Sequence, residues 1–125
     1  MPVATISIPP VAEHVRTVRM VAGSAARRGR VAEETIDEVR LAVGEAVARV
    51  VLRHQRAGVD AQVKVYLRDD PEVFEVEVDD LAPADMPDND GGISMALTQS
   101  LAPQCSALPN QDGTQTFRLS WPLDN

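Results

Sequence analysis

Glu45 and Arg49 stand four residues apart in the apolar run LAVGEAVARVV, residues 41–51. That spacing puts both side chains on one face of a helix. The plain reading is an ion pair on a helix surface, which contributes about 0.3–0.5 kcal/mol. A second place for chemistry is Asp79-Asp80, where an apolar alternation runs into Leu81-Ala82-Pro83-Ala84. A carboxylate at the end of a strand, followed by a loop, is a common way to hold a small ligand. Such loops carry glycine where backbone must approach a phosphate or a base. Here the two candidate places hold Ala82 and Ala84.

Other reactive side chains form no pattern. His14 and His54 fall on different predicted helices without metal-ligand spacing, so no metal site is expected. Cys105 is the single cysteine, which excludes an internal disulfide. A lone cysteine with no base beside it in sequence reads as a small hydrophobe. Arg27, Arg28 and Arg30 cluster at a predicted helix C-terminus, where cations offset the dipole. No nucleophile elbow, Walker-type phosphate loop or zinc pattern is present.

The elements that must position these residues follow from periodicity. Residues 5–9 alternate and end in Pro9-Pro10, which suits an edge strand. Val11, Val15, Val18, Ala22 and Ala25 make one helix stripe over residues 11–29. A second helix is predicted over residues 33–56, with its stripe at Ile36, Val39, Val43, Ala46 or Val47, and Val50. Thr35-Ile36-Asp37-Glu38 fits a capping box, which would start the regular helix a few residues late. Val63, Val65 and Leu67, then Phe74, Val76 and Val78, alternate with polar residues on either side of Asp69-Asp70-Pro71 and predict a hairpin. A loop, a short helix over residues 93–102 and strands over residues 103–108 and 114–122 complete the order. The strand faces, one apolar and one polar, predict a two-layer α/β (α+β) sandwich. Its sheet, mixed but mostly antiparallel and of about five strands, is covered on one face by three helices.

At 125 residues the chain is expected to be one domain, residues 1–125. With 3% aromatic residues, its core must be aliphatic. The net charge of −7 argues against direct nucleic-acid binding. Residues 1–56 hold nine Arg against six acids, while residues 57–125 hold three basic residues against thirteen acids. The acidic half is either a solvated face or a dock for a basic protein surface. No stretch approaches the roughly 20 apolar residues of a membrane span, and the first ten residues lack a signal-peptide pattern, so a cytoplasmic location is the default expectation.

Taken together the segments resemble the GHKL ATPase superfamily, and within it the bacterial anti-sigma factor serine kinases. LAVGEAVARVVLRH resembles the family's E-A-x-x-N helix, with Glu45 at the acid position. VEVDDLAPAD resembles the strand ending in D-x-G-x-G, with Asp80 at the adenine-reading aspartate and Ala82 and Ala84 at the two glycines. GGISMALTQSLA, with Gly92, resembles the glycine-led lid and its short helix. DGTQTFRLSWPL resembles the final G-T-x-x-x-L strand and places Thr114 near the adenine. The resemblance implies a histidine-kinase-like ATPase fold, ATP and Mg²⁺ as cofactors, and a sigma factor and a STAS-type anti-anti-sigma factor as partners. It also implies a homodimer and a role in stress-response transcription.

Three departures stand against the cofactors. Arg49 replaces the magnesium-holding Asn and has no acceptor to offer a metal. Ala82 and Ala84 crowd the backbone that a ligand would approach. The resemblance then leaves three readings open. One is an anti-sigma factor with a degenerate nucleotide site. Another is an active serine kinase with Glu45 as general base. The third is a partner domain that keeps only the fold.

Overall fold

The computed structural model describes residues 3–123. Strand β1 (Val3–Ile8) leads through a 3-10 turn at Ala12–His14 into α1 (Val15–Arg28) and α2 (Glu33–Ala57). The hairpin β2 (Val63–Asp69) and β3 (Val73–Asp80) follows, then α3 (Ile93–Leu101), β4 (Gln104–Pro109) and β5 (Gln115–Pro122). The sheet order is β1-β2-β3-β5-β4. Every pairing is antiparallel, so the sheet is not mixed. Strand β1 reaches β2 through α1 and α2, hairpins join β2 to β3 and β4 to β5, and the segment through α3 crosses from β3 past the place of β5 to β4, which runs parallel to β3 at the far edge.

The alternation in the strands sorts the two faces as expected. Val63, Val65, Leu67, Phe74, Val76, Val78, Phe117, Leu119 and Trp121 are buried beneath the helices. The opposite face carries charge in register. Arg68 pairs across β2 and β3 with Glu75 at 2.6 Å, and Arg118 pairs across β3 and β5 with Glu77 at 3.0 Å. Such cross-strand opposite charges support the register that the core face dictates.

The capping box is not used. Helix α2 begins at Glu33 with Ala32 as its N-cap and no side-chain cap. The short connection from α1 decides this. Val31 is buried and its N–H donates to the Ala26 carbonyl at 3.0 Å, while Arg30 takes a left-handed φ of 67°. The chain therefore turns straight into α2, and Glu33 and Glu34 meet its positive end. The 3-10 turn delays α1 to Val15, so Val11 is not helical.

Helices α1 and α2 approach closely through a reciprocal contact. A Cβ on Gly23 would lie 2.9 Å from Cδ of Arg40, and a Cβ on Gly44 would lie 2.5 Å from Cδ of Arg19. Each helix thus gives up a side chain where the other lays an arginine stem, and the stem covers apolar surface. Gly58 ends α2 at φ 70° with open space around it. A Gly58→Ala substitution is expected to lower stability by about 1 kcal/mol through backbone strain alone. An unchanged urea midpoint would refute that.

Candidate functional site

The stripe of α2 that buries Val43, Ala46, Val47 and Val50 continues for one more turn, and there the core positions hold Arg53 and His54. Beneath them β3 delivers Asp80, which is fully buried. Burying charge is costly unless it is paired and hydrogen-bonded, and every charged group here is. The Arg53 Nε donates to Asp80 Oδ2 at 2.6 Å, Nη2 to the Pro83 carbonyl at 2.8 Å, and Nη1 to the Met86 carbonyl at 2.6 Å and Asp88 Oδ1 at 3.1 Å. Asp80 Oδ1 accepts the Ala82 N–H at 3.0 Å, and Oδ2 also accepts from Gln115 at 3.3 Å.

His54 completes the floor. Its Nε2 accepts the Leu81 N–H at 3.0 Å, so the ring is neutral and its Nδ1–H donates to the Ala61 carbonyl at 3.2 Å. The 3.8 Å approach of Nε2 to Asp80 Oδ1 is therefore a contact with a neutral ring, not an ion pair.

Arg49 lies one turn earlier. It does not pair with Glu45, as the spacing had suggested. Its Nε donates to Asp88 Oδ2 at 2.7 Å, and its guanidinium sits 4.3 Å above the centre of the Phe117 ring. The half-buried carboxylate of Asp88 and the aromatic face together offer more than an exposed glutamate on the same helix. Glu45 is left half-buried, with no side-chain hydrogen bond or ion pair among the described residues. The cluster of Arg49, Arg53, Asp80 and Asp88 is electrically balanced.

The remaining predicted positions are scattered around this cluster. Ala82 is buried, and Ala84 is exposed with its N–H donating to the Gly113 carbonyl at 2.9 Å. Neither has a positive φ, so the loop takes a path that alanine permits without strain. Gly92 has φ 91° and caps α3, where Asp90 accepts from its N–H and from Ser94. Those bonds, Ser94's first, hold the Asp90 carboxyl below its usual range. The Thr114 hydroxyl donates to Asp112 Oδ1 at 2.5 Å within the β4–β5 turn. The contact to Asp80 from this strand comes from Gln115 instead.

Arg53 and Asp88 were not singled out by sequence reasoning. Arg53 had a readable signal, because the α2 stripe extrapolates from Val50 onto residues 53 and 54. Asp88 sits in an aperiodic loop and had none.

The site does not fit the cofactors that the resemblance implied. Both oxygens of Asp80 accept hydrogen bonds, the Arg53 guanidinium lies against it, and Arg49, at the place the resemblance gives to the magnesium-holding Asn, is bonded to Asp88. No group of three or more His, Cys, Asp or Glu side chains able to hold a metal ion occurs among the described residues. Nearby, Cys105 lines a small apolar recess with Met95, Thr98 and Phe117. Burial raises its thiol pKa, against a smaller opposing effect of Arg49. Alkylation of Cys105 by iodoacetamide at neutral pH is expected to be at least about tenfold slower than in the urea-unfolded chain. Equal rates would show that the recess is open.

An antiparallel five-stranded sheet under three helices, with an acid-bearing helix above a strand that ends in an aspartate, defines an ATPase-type fold. The match to the histidine kinase-like ATPase domain runs over residues 8–121, and the chain belongs to that family. No curated protein sequence is significantly similar to it. No helix among the described residues is long and apolar enough to cross a membrane.

Proposed function

We propose that this chain is an anti-sigma regulatory factor that binds and sequesters a sigma factor, under the control of a STAS-type anti-anti-sigma partner, and that its nucleotide site is closed by its own arginines. The observation that carries the closed site is Arg53, whose guanidinium lies against Asp80 with both groups buried. A base that needs the Asp80 carboxylate would have to displace a charged partner held by three further acceptors.

The protein-binding part is supported by surfaces that remain exposed. A groove of about 540 Å³ between α1 and α2 is lined by Arg16, Arg19, Arg40 and Asp37, with Met20 and Leu41 exposed beside them. The second half of the chain is acidic. Each surface suits a partner patch of opposite sign, which steers association and weakens as salt rises.

The kinase reading keeps one observation. Glu45 has no arginine partner among the described residues, which leaves its side chain free for the general-base role that this reading assigns to it. Capture of sigma factors on the immobilised chain, paired with transfer of labelled phosphate from ATP to a STAS-type partner, separates the readings. Capture without transfer is expected. Transfer would make the chain an enzyme, and failure to capture any sigma factor of its source would remove the proposal.

A further inference from the structure

We infer that the outer ridge of α2, with the arginine-lined groove beside it, is a docking seat for one amphipathic helix of a partner protein, apolar along its seam and acidic along the flank that meets α1. Resting on the protein-binding part of the proposed function, this seat defines the chemistry that the partner must bring.

A helix that lies on a sheet ordinarily has one apolar stripe and an outer face of charge. Helix α2 has two stripes. The inner one, through Val39, Val43, Ala46 and Val50, is buried. The other runs along the opposite side at Leu41, Glu45, Ala48 and Leu52, in steps of four, three and four. Leu41 is 49% and Leu52 53% exposed, while Glu45 and Ala48 are half-buried. Steps of four and three are the spacing by which one helix seats another along its length. Scattered exposed leucines need no explanation, but an ordered row with a further apolar side chain beside it does. On α1, Met20 is 58% exposed and lines the same groove as Leu41. Between residues 41 and 52 the only charged side chains are Glu45 and Arg49, and Arg49 is turned to Asp88. Glu45 is thus the one charge on the ridge. A single polar residue in an apolar seam fixes the register of a helix pair at a cost in stability.

The groove wall sets the sign of the flank. Arg16, Arg19 and Arg40 stand there against Asp37. Asp37 lies 3.5 Å from Arg40, and neither Arg16 nor Arg19 has a side-chain hydrogen bond or ion pair among the described residues. The stems of Arg19 and Arg40 lie over Gly44 and Gly23, so two of the three guanidinia are already held in place and lose little freedom on pairing. This local surplus of positive charge, on a chain of net charge −7, draws carboxylates. It also disfavours a second copy of the chain. A copy laid antiparallel along the ridge about a two-fold axis would set arginines against arginines, and a parallel copy would set Glu45 against Glu45.

The probe is a synthetic, end-capped peptide of about five helical turns, with leucine at four-and-three spacing, one arginine at its centre to meet Glu45, and glutamate along one flank. Its control carries lysine in place of each glutamate. Amide chemical shifts of the whole chain are followed on titration with each peptide. The acidic peptide is expected to shift Met20, Leu41, Ala48 and Leu52. The lysine peptide should bind at least about tenfold more weakly, and the affinity of the acidic one should fall as salt rises. Two exposed positions test the two parts of the seat separately. Arg16→Glu should narrow the preference for the acidic peptide at least about threefold. Leu52→Lys, outside the arginine groove, should weaken the acidic peptide at least about tenfold. Thermal melts followed by circular dichroism confirm that both variants are folded. Absence of binding, equal affinity for the two peptides, shifts confined to other surfaces, or binding unchanged in either variant would overturn the inference. So would shifts of the same amides on raising the protein concentration alone, which would assign the ridge to a second copy. Capture of a sigma factor that survives both substitutions would leave the sigma-factor reading in place and remove this seat. Peptide binding without any capture would do the reverse.

Discussion

Arg53→Met lowers the stability of the chain by about 3–5 kcal/mol, the range expected when one partner of a buried ion pair is removed and the other stays charged. The expectation rests on Asp80, which is fully buried and keeps only the Ala82 N–H and a longer bond from Gln115 once Arg53 is gone. The Pro83 and Met86 carbonyls and Asp88 lose a donor at the same time. Asp80→Asn in the Arg53→Met background should return part of the loss, since an amide needs no counter-charge. The double variant is then more stable than the sum of the two single changes predicts, and this coupling is read from a double-mutant cycle of urea midpoints. A cost under about 1 kcal/mol for Arg53→Met would mean that the cluster is loosely hydrated and does not hold the loop.

The second large effect concerns nucleotide. The triple change Arg49→Asn, Ala82→Gly and Ala84→Gly restores the three positions at which the sequence departs from the ATPase pattern. It is expected to leave the melting temperature insensitive to Mg-ATP, because Arg53 still holds Asp80. Adding Arg53→Ala frees that carboxylate, and only the quadruple variant is expected to melt higher with Mg-ATP. Ligand at about one hundred times its Kd contributes about 2.7 kcal/mol, a readable shift even in a destabilised background. Calorimetric titration of the wild-type chain, with and without Mg²⁺, provides the control. No heat is expected in either case, since Arg49 is committed to Asp88 and Phe117 and is not free to clamp phosphates. Tight Mg²⁺-dependent binding by the wild-type chain would overturn the closed site.

The fold was legible because its signals are local and repeated. Alternation in β2, β3 and β5 and the stripes of α1 and α2 each point to one face, and the faces agree. The ends of elements were less legible where tertiary contacts decide them. The turn built on Arg30 and buried Val31 overrode the capping box at Thr35. The site was half legible. The strand ending in Asp80 and the loop after it could be read from their pattern. The choice of partner for Arg49 could not, because Asp88 lies 39 residues away in sequence and only the folded loop brings it near. Arg53 was missed for a different reason. Its neighbours Val50, Val51 and Leu52 read as plain helix, and an arginine after them looks like a solvated terminus. The period of the stripe, carried one turn further, places it in the core.

The same arginine changes how the 81–90 loop can move. Surface loops shift on nanosecond-to-microsecond timescales when little but their own turns restrains them. Here two carbonyls and two carboxylates of the loop and its root converge on one guanidinium carried by α2, and the Leu81 amide is tied to the histidine beside it. The segment therefore has no private route to an open state. To lift away it must pull charge out of the core or take the last turns of α2 with it, which makes its opening a sub-global unfolding event. What reads in sequence as a ligand loop is mechanically an extension of the helix.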